Sequence, residues 1–137
     1  MADLNAVVLP GEGASGFCVG DGGLMLATDD GGNTWQRVSV PTSADLHDVF
    51  FCEGIFEGFA VGAGGTVLRT LDGGANWKAV DPGVGEDLYG VCFPIERTGY
   101  LVGSGGLAMR TDDQGLTWRR LPVPTTARLR ALAFPVD

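Results

Sequence analysis

His47 and Asp48 are the first candidates for catalytic chemistry in this 137-residue sequence. His47 is the only histidine, so a Ser-His-Asp triad would have to use it. Neighbouring residues of a strand point to opposite faces of a sheet, which would keep these two side chains apart. We therefore expect no triad and predict that the protein is not an enzyme.

Glycine-rich segments beside acidic residues are candidates for binding cations or phosphate. The Asp-Asp-Gly-Gly segment at 29–32 lacks the spaced oxygen ligands and final glutamate of an EF-hand-type calcium loop. The Gly-x-Gly-Gly segment at 20–23 precedes a strand-like run rather than a helix, and it lacks the lysine of a P-loop. Both segments are typical of hairpin turns, and we predict no metal and no cofactor.

A repeat of roughly 42 residues organises the sequence that carries these segments. Trp35, Trp77 and Trp118 are 42 and 41 residues apart. Their register aligns three Gly-aromatic-x-Val-Gly segments, at 16–20, 58–62 and 99–103. The repeats span approximately residues 4–45, 46–87 and 88–128, and an extra strand is expected at 129–134.

Short apolar runs bounded by Gly, Asp or Pro predict strands in every repeat. In the middle repeat they are strand a (Leu46–Phe51), strand b (Gly58–Val61), strand c (Thr66–Thr70) and strand d (Asn76–Val80). A single sheet of this size cannot bury both of its apolar faces, whereas radially stacked sheets can. The sequence predicts one all-β domain over residues 1–137, a β-propeller arc of three four-stranded antiparallel blades.

A Thr-x-Asp-x-Gly-x-Thr/Asn-Trp motif recurs in each repeat, and it resembles the Asp-box, also called the bacterial neuraminidase repeat. The surrounding Gly-aromatic-x-Val-Gly-x-Gly-Gly and Leu-Arg-Thr elements are more specifically similar to repeats of the photosystem II assembly and stability factor family. The motif residues are Thr28, Asp30, Gly32 and Trp35, then Thr70, Asp72, Gly74 and Trp77, then Thr111, Asp113, Gly115 and Trp118.

This resemblance implies a structural role for the motif. In those families the aspartate ties the hairpin between strands c and d and the tryptophan packs between blades, so we expect all three tryptophans to be largely buried. The family also keeps an arginine before the threonine of strand c, which Arg69 and Arg110 match and Ala27 does not. Family sialidases need several arginines, a Tyr–Glu pair and an acidic aspartate, which three blades do not supply.

Variable polar residues at one end of the blades predict a ligand-binding rim. The second residue of strand a changes from repeat to repeat while its neighbours stay apolar, and in propellers the b–c and d–a loops lie at the same end. Loops on a rigid scaffold often carry binding function. The predicted rim residues are Asp21, Asp45, His47, Glu86, Asp87, Tyr89, Ser104, Arg128 and Arg130.

Charge and composition exclude several partners. The formal net charge of −8 argues against nucleic acid and anionic membranes, which require clustered positive charge. The sequence shows no apolar span for a bilayer and no basic, apolar leader, so we expect a cytoplasmic protein. Cys18, Cys52 and Cys92 lack CxxC spacing and lie in apolar runs, which favours reduced core cysteines.

The resemblance favours a non-enzymatic binding or scaffold module that helps a protein complex to assemble, with a protein as ligand. A glycan-binding or sialidase-like propeller is one alternative. A fragmentary or designed propeller with no dedicated ligand is another.

A homo-oligomer is expected because an isolated arc leaves two apolar blade faces in water. The first 60 residues carry nine acids and one base, whereas residues 97–137 carry six bases and three acids, which favours head-to-tail contact. We expect a dimer with six blades, with a nine-blade trimer as the second possibility. Strands 4–9 and 129–134 would compete for one shared inner position.

Overall fold

The computed structural model describes residues 3–8, 15–51, 57–93 and 97–121. Within these ranges the chain forms twelve strands and three short 3₁₀ turns, and no helix there is long and apolar enough to cross a membrane. The strands are β1 Leu4–Val8, β2 Gly16–Gly20, β3 Leu24–Thr28, β4 Gln36–Arg37, β5 Leu46–Phe51, β6 Gly58–Gly62, β7 Thr66–Thr70, β8 Lys78–Val80, β9 Leu88–Cys92, β10 Gly99–Gly103, β11 Ala108–Thr111 and β12 Arg119–Arg120.

The described strands form three four-stranded antiparallel sheets, β1 to β4, β5 to β8 and β9 to β12, each ordered as in the chain. We refer to them as blades 1, 2 and 3. The predicted all-β arc of four-stranded blades is confirmed. The extra strand at 129–134 lies outside the described residues, as does Cys52.

Strand limits in blade 2 differ slightly from the prediction. Strand b extends to Gly62, and strand d begins at Lys78 rather than at Asn76. The backbone N–H of Asn76 donates to the side chain of Asp72 at 2.9 Å, which holds this residue in the hairpin instead of the ladder.

Two clusters of buried apolar residues pack between neighbouring blades. Phe17 and Val19 of blade 1 pack with Leu46 and Phe51 of blade 2 in the first cluster. The second cluster joins the corresponding faces of blades 2 and 3 through Phe59, Val61, Leu88 and Phe93, among others. Each junction therefore uses the same repeat positions, as expected for stacked propeller blades.

The tryptophans differ in burial, so the prediction that all three are largely buried is wrong for Trp35. Trp77 is 6% exposed and Trp118 is half-buried, whereas Trp35 is 38% exposed. Trp77 packs edge-on against Phe17 of the preceding blade, with ring centroids 6.5 Å apart. Trp118 packs in the same way on Phe59. Trp35 belongs to the first blade, and no described blade precedes it.

The same face of blade 1 exposes residues of strand β1. Leu4 and Val7 are 57% and 65% exposed. Their repeat counterparts are at most 4% exposed, namely Leu46, Val49, Leu88 and Val91. At these positions blade 1 exposes apolar side chains that blades 2 and 3 bury.

Candidate functional site

Each Asp-box forms a closed hydrogen-bonded hairpin. In blade 2 the Thr70 hydroxyl donates to Asp72 at 2.8 Å and accepts from the Gly74 amide at 3.0 Å. The Trp77 indole N–H donates to the Gly74 carbonyl oxygen at 2.9 Å. The side-chain amide of Asn76 donates to Asp72 at 2.8 Å, so this departure from the motif keeps its hydrogen bond.

The Asp-box carboxylates are fully engaged in these hairpins. Hydrogen bonds lower the pKa of Asp30, Asp72 and Asp113 to about 2, chiefly those from the Thr34 hydroxyl, the Asn76 side chain and the Thr111 hydroxyl respectively. Nowhere among the described residues do three or more His, Cys, Asp or Glu side chains cluster as metal ligands would. The geometry of these boxes is that of a turn-forming motif.

The predicted rim residues Asp45 and Asp87 join one blade to the next. The Asp45 carboxylate accepts from the Gly22 amide of blade 1 at 2.8 Å. Asp87 accepts from the Gly64 amide of blade 2 at 2.9 Å in the corresponding position. Both residues directly precede an inner strand, so each carboxylate caps the b–c loop of the preceding blade.

His47 and Tyr89 stack on each other at this rim. Their ring centroids are 4.9 Å apart, and both residues are half-buried. Strand pairing shifts register at these positions, so each residue sits in a β-bulge of its inner strand. His47 Nδ1 lies 2.9 Å from the Leu88 carbonyl oxygen, and Asn5 makes the equivalent bond to Leu46 at 2.8 Å.

The remaining rim residues lie along the same blade ends. Asp21 accepts from the Asn5 side chain at 3.0 Å, and Glu86 pairs with Arg120 at 2.6 Å. The bond from Arg120 also lowers the pKa of Glu86. Ser104 donates its backbone N–H to the Asp87 carbonyl oxygen at 2.9 Å. Arg128 and Arg130 lie outside the described residues.

Asp48 is a partly buried carboxylate that sequence reasoning did not include in the rim. It accepts from the Val91 amide of the next blade at 3.1 Å, and burial raises its pKa. Burial, reinforced by the charge of Asp48, raises the pKa of Cys92 to about 11. Burial also raises the pKa of Cys18, so both described cysteines are poor nucleophiles.

A cavity of about 470 Å³ lies at the opposite end of the blades, between blades 1 and 2. Its lining includes Phe17, Ala27 and Asp29 of blade 1 and Gly74 of blade 2. In the sequence, this cavity is indicated by Ala27, which stands where the other two repeats have Arg69 and Arg110.

The model of the photosynthesis system II assembly factor YCF48 family matches residues 33–130. The chain belongs to this family. A search of curated proteins finds no match. Among solved structures, YCF48 with a bound D1 peptide is 25% identical with a TM-score of 0.78, over 91% of this chain and 41% of that one. YCF48 from Cyanidioschyzon merolae is 27% identical with a TM-score of 0.76, over 90% of this chain and 38% of that one.

An ancestral GH74 enzyme is similar in fold, with 22% identity and a TM-score of 0.74 over 88% of this chain and 18% of that one. At this identity the likeness concerns the fold alone. The chain spans about two fifths of the length of the YCF48 structures that it matches.

Proposed function

We propose that this chain is a non-enzymatic binding module that holds a peptide segment of a partner protein while a larger complex assembles. Its membership of the YCF48 family carries the proposal, since one YCF48 structure contains a D1 peptide. The cytoplasmic location expected from the sequence stays a prediction.

The rim is the proposed binding surface. The stacked rings of His47 and Tyr89 provide a rigid, half-buried platform with polar edges, which is a common feature of protein-binding surfaces. Asp45 and Asp87 hold the loops around this platform through bonds to glycine amides. A rigid surface loses little conformational entropy when a peptide binds.

The non-enzymatic part of the proposal is supported by how the carboxylates are used. Glycoside hydrolysis requires two carboxyl groups that flank a substrate bond. The raised pKa of Asp48 is the most suggestive of acid catalysis, but its carboxylate accepts a hydrogen bond from the Val91 amide of the next blade. Asp45 and Asp87 are likewise bound to backbone amides.

Titration with the D1 peptide tests the rim directly. We expect saturable binding by fluorescence anisotropy, weakened at least tenfold in a His47→Ala, Tyr89→Ala double variant because the stacked platform is lost. Leu116→Ala is the control, since Leu116 is exposed on the hairpin at the far end of blade 3. Absence of binding, or equal binding by the double variant, would contradict the proposed site.

We further propose that a second copy of this chain covers the exposed face of blade 1. Leu4, Val7 and Trp35 occupy positions that the preceding blade buries in blades 2 and 3, only partly so at Trp118. The basic C-terminal part of a second copy suits the acidic first blade, and a head-to-tail contact of this kind must close or extend indefinitely. Two copies would supply six blades, within the usual range for propellers.

A further inference from the structure

We infer that the cavity between blades 1 and 2 is a socket for an arginine side chain of a bound peptide or protein. It lies at the Asp-box end of the blades, away from the rim. The inference goes beyond the proposed function, because it concerns a second site with its own chemistry.

The repeat positions that correspond to Ala27 carry an arginine in blades 2 and 3, namely Arg69 and Arg110. Arg69 lies directly across the strand pair from Phe59, so it shares the face of blade 2 that packs on blade 3. Its guanidinium pairs with Glu57 at 3.0 Å, and the two side chains are only 14% and 16% exposed. A blade junction of this protein therefore accommodates a largely buried guanidinium.

Blade 3 repeats the arrangement with a different carboxylate. Arg110 lies across the strand pair from Tyr100, with its guanidinium carbon 5.7 Å from the ring centroid. It pairs with Asp112 at 2.9 Å. An aromatic ring, an arginine and a carboxylate thus recur together on this face of a blade.

Blade 1 keeps the ring and a carboxylate but lacks the arginine. Phe17 is paired across the strands with Ala27, and Ser15 stands where blade 2 has Glu57. Asp29 occupies the repeat position of Asp112, and the described part of the chain offers it no hydrogen bond or ion pair. The small side chains at 15 and 27 leave the space that the cavity occupies.

The residues that line the socket suit an arginine side chain better than a lysine side chain. The aliphatic part of the ligand would lie against Phe17 and Ala27, and its planar guanidinium would meet Asp29 with two parallel hydrogen bonds. Arg37 also lines the cavity, but it pairs across the strands with Leu26, so its side chain leaves from the opposite face of the sheet. Among the described residues, none therefore extends a guanidinium from the face of Ala27 into the socket.

The test uses a blocked Gly-Arg-Gly peptide and its citrulline analogue, which keeps the shape and loses the charge. We expect the arginine peptide to shift amide NMR resonances around residues 27–29 and 73–75 and to bind at least tenfold more tightly than the citrulline peptide. Equal binding of the two peptides, no binding, or shifts confined to other regions would overturn the inference.

Two variants locate the effect. Ala27→Arg fills the socket with the chain's own guanidinium, and Asp29→Asn removes the carboxylate, so each should weaken binding of the arginine peptide at least tenfold. Ala79→Arg and Asp81→Asn are matched controls, because they make the same changes at positions outside the socket and should leave binding unchanged. Undiminished binding by both socket variants would overturn the inference.

The two binding proposals can fail separately. The His47→Ala, Tyr89→Ala variant should bind the arginine tripeptide as the parent does, whereas the socket variants should still bind the D1 peptide at the rim. Loss of tripeptide binding in the rim variant alone would place the guanidinium site at the rim and overturn the socket.

Discussion

At the scale of single residues, the buried and hydrogen-bonded polar groups of this protein mainly stabilise its fold. Thr28, Thr70 and Thr111 are the buried polar residues among those described, and each hydroxyl closes an Asp-box hairpin. A buried hydroxyl without a partner would be costly, so the threonine and aspartate of each box depend on each other. The three hairpins consequently need ionised aspartates.

Acid should therefore weaken the fold. The folded-state pKa of about 2 for Asp30, Asp72 and Asp113 lies below the ordinary value of 3.8, so the unfolded chain binds more protons in this range. Their stabilisation is present above about pH 4 to 5 and is lost as the pH falls towards 2. We expect the melting temperature, followed by circular dichroism, to fall steeply over this interval.

Asp72→Asn should melt at a lower temperature at pH 7 and show a shallower fall than the parent protein between pH 5 and 2. Asp81→Asn is the control, because Asp81 accepts a hydrogen bond from Gly83 within its own loop and belongs to no Asp-box. A parent melting temperature that stays constant from pH 5 to 2 would contradict the role assigned to these carboxylates.

At the scale of elements, blades 2 and 3 each pack a tryptophan on the blade before them. The Trp of a blade packs on the aromatic residue of strand b in the preceding blade, as Trp77 does on Phe17. Gly74 makes this approach possible, since a Cβ there would lie 2.4 Å from the Phe17 ring. Its φ of +95° also favours glycine.

The Trp residues should accordingly differ in their contribution to stability. Trp77→Ala should lower the free energy of unfolding by about 3–5 kcal/mol, as removal of a buried aromatic ring does. Trp35→Ala should lower it far less under dilute conditions, because Trp35 is already 38% exposed. Urea unfolding followed by circular dichroism measures both variants, and equal losses would contradict the stacking order of the blades.

The sequence predicted what is local and repeated. The register of Trp35, Trp77 and Trp118 located the hairpins, because each Asp-box bonds within a few residues of itself. The bonds of Asp45 and Asp87 to distant glycine amides were not predictable, since their partners lie in the preceding blade. The same holds for the candidate site. The repeat predicted that the rim residues lie at one end of the blades, but it did not predict the hydrogen bonds that they make between blades.

Position in the arc is not encoded in the local Asp-box motif. Trp35 has the same local motif as Trp77, and only its place in the first blade leaves it exposed. The cavity beside Ala27 likewise depends on the packing of two blades.

At the scale of the whole molecule, blade 1 has exposed apolar residues on the face that blades 2 and 3 pack against the preceding blade. Leu4, Val7 and Trp35 lie on this face, and their counterparts are buried in blades 2 and 3 except for the half-buried Trp118. Burial of apolar surface contributes roughly 25 cal/mol per Å², which favours association through this face. We propose that a second copy of the chain covers this face of blade 1.

The mass of the protein in solution tests this most directly. Multi-angle light scattering across a dilution series should give about twice the chain mass of 14.2 kDa, and Trp35→Ala should shift the equilibrium towards the single chain. Leu71→Ala is the matched control, because Leu71 is exposed in blade 2 and should leave the mass unchanged. A mass of 14.2 kDa at every concentration would contradict the proposed head-to-tail completion of the arc.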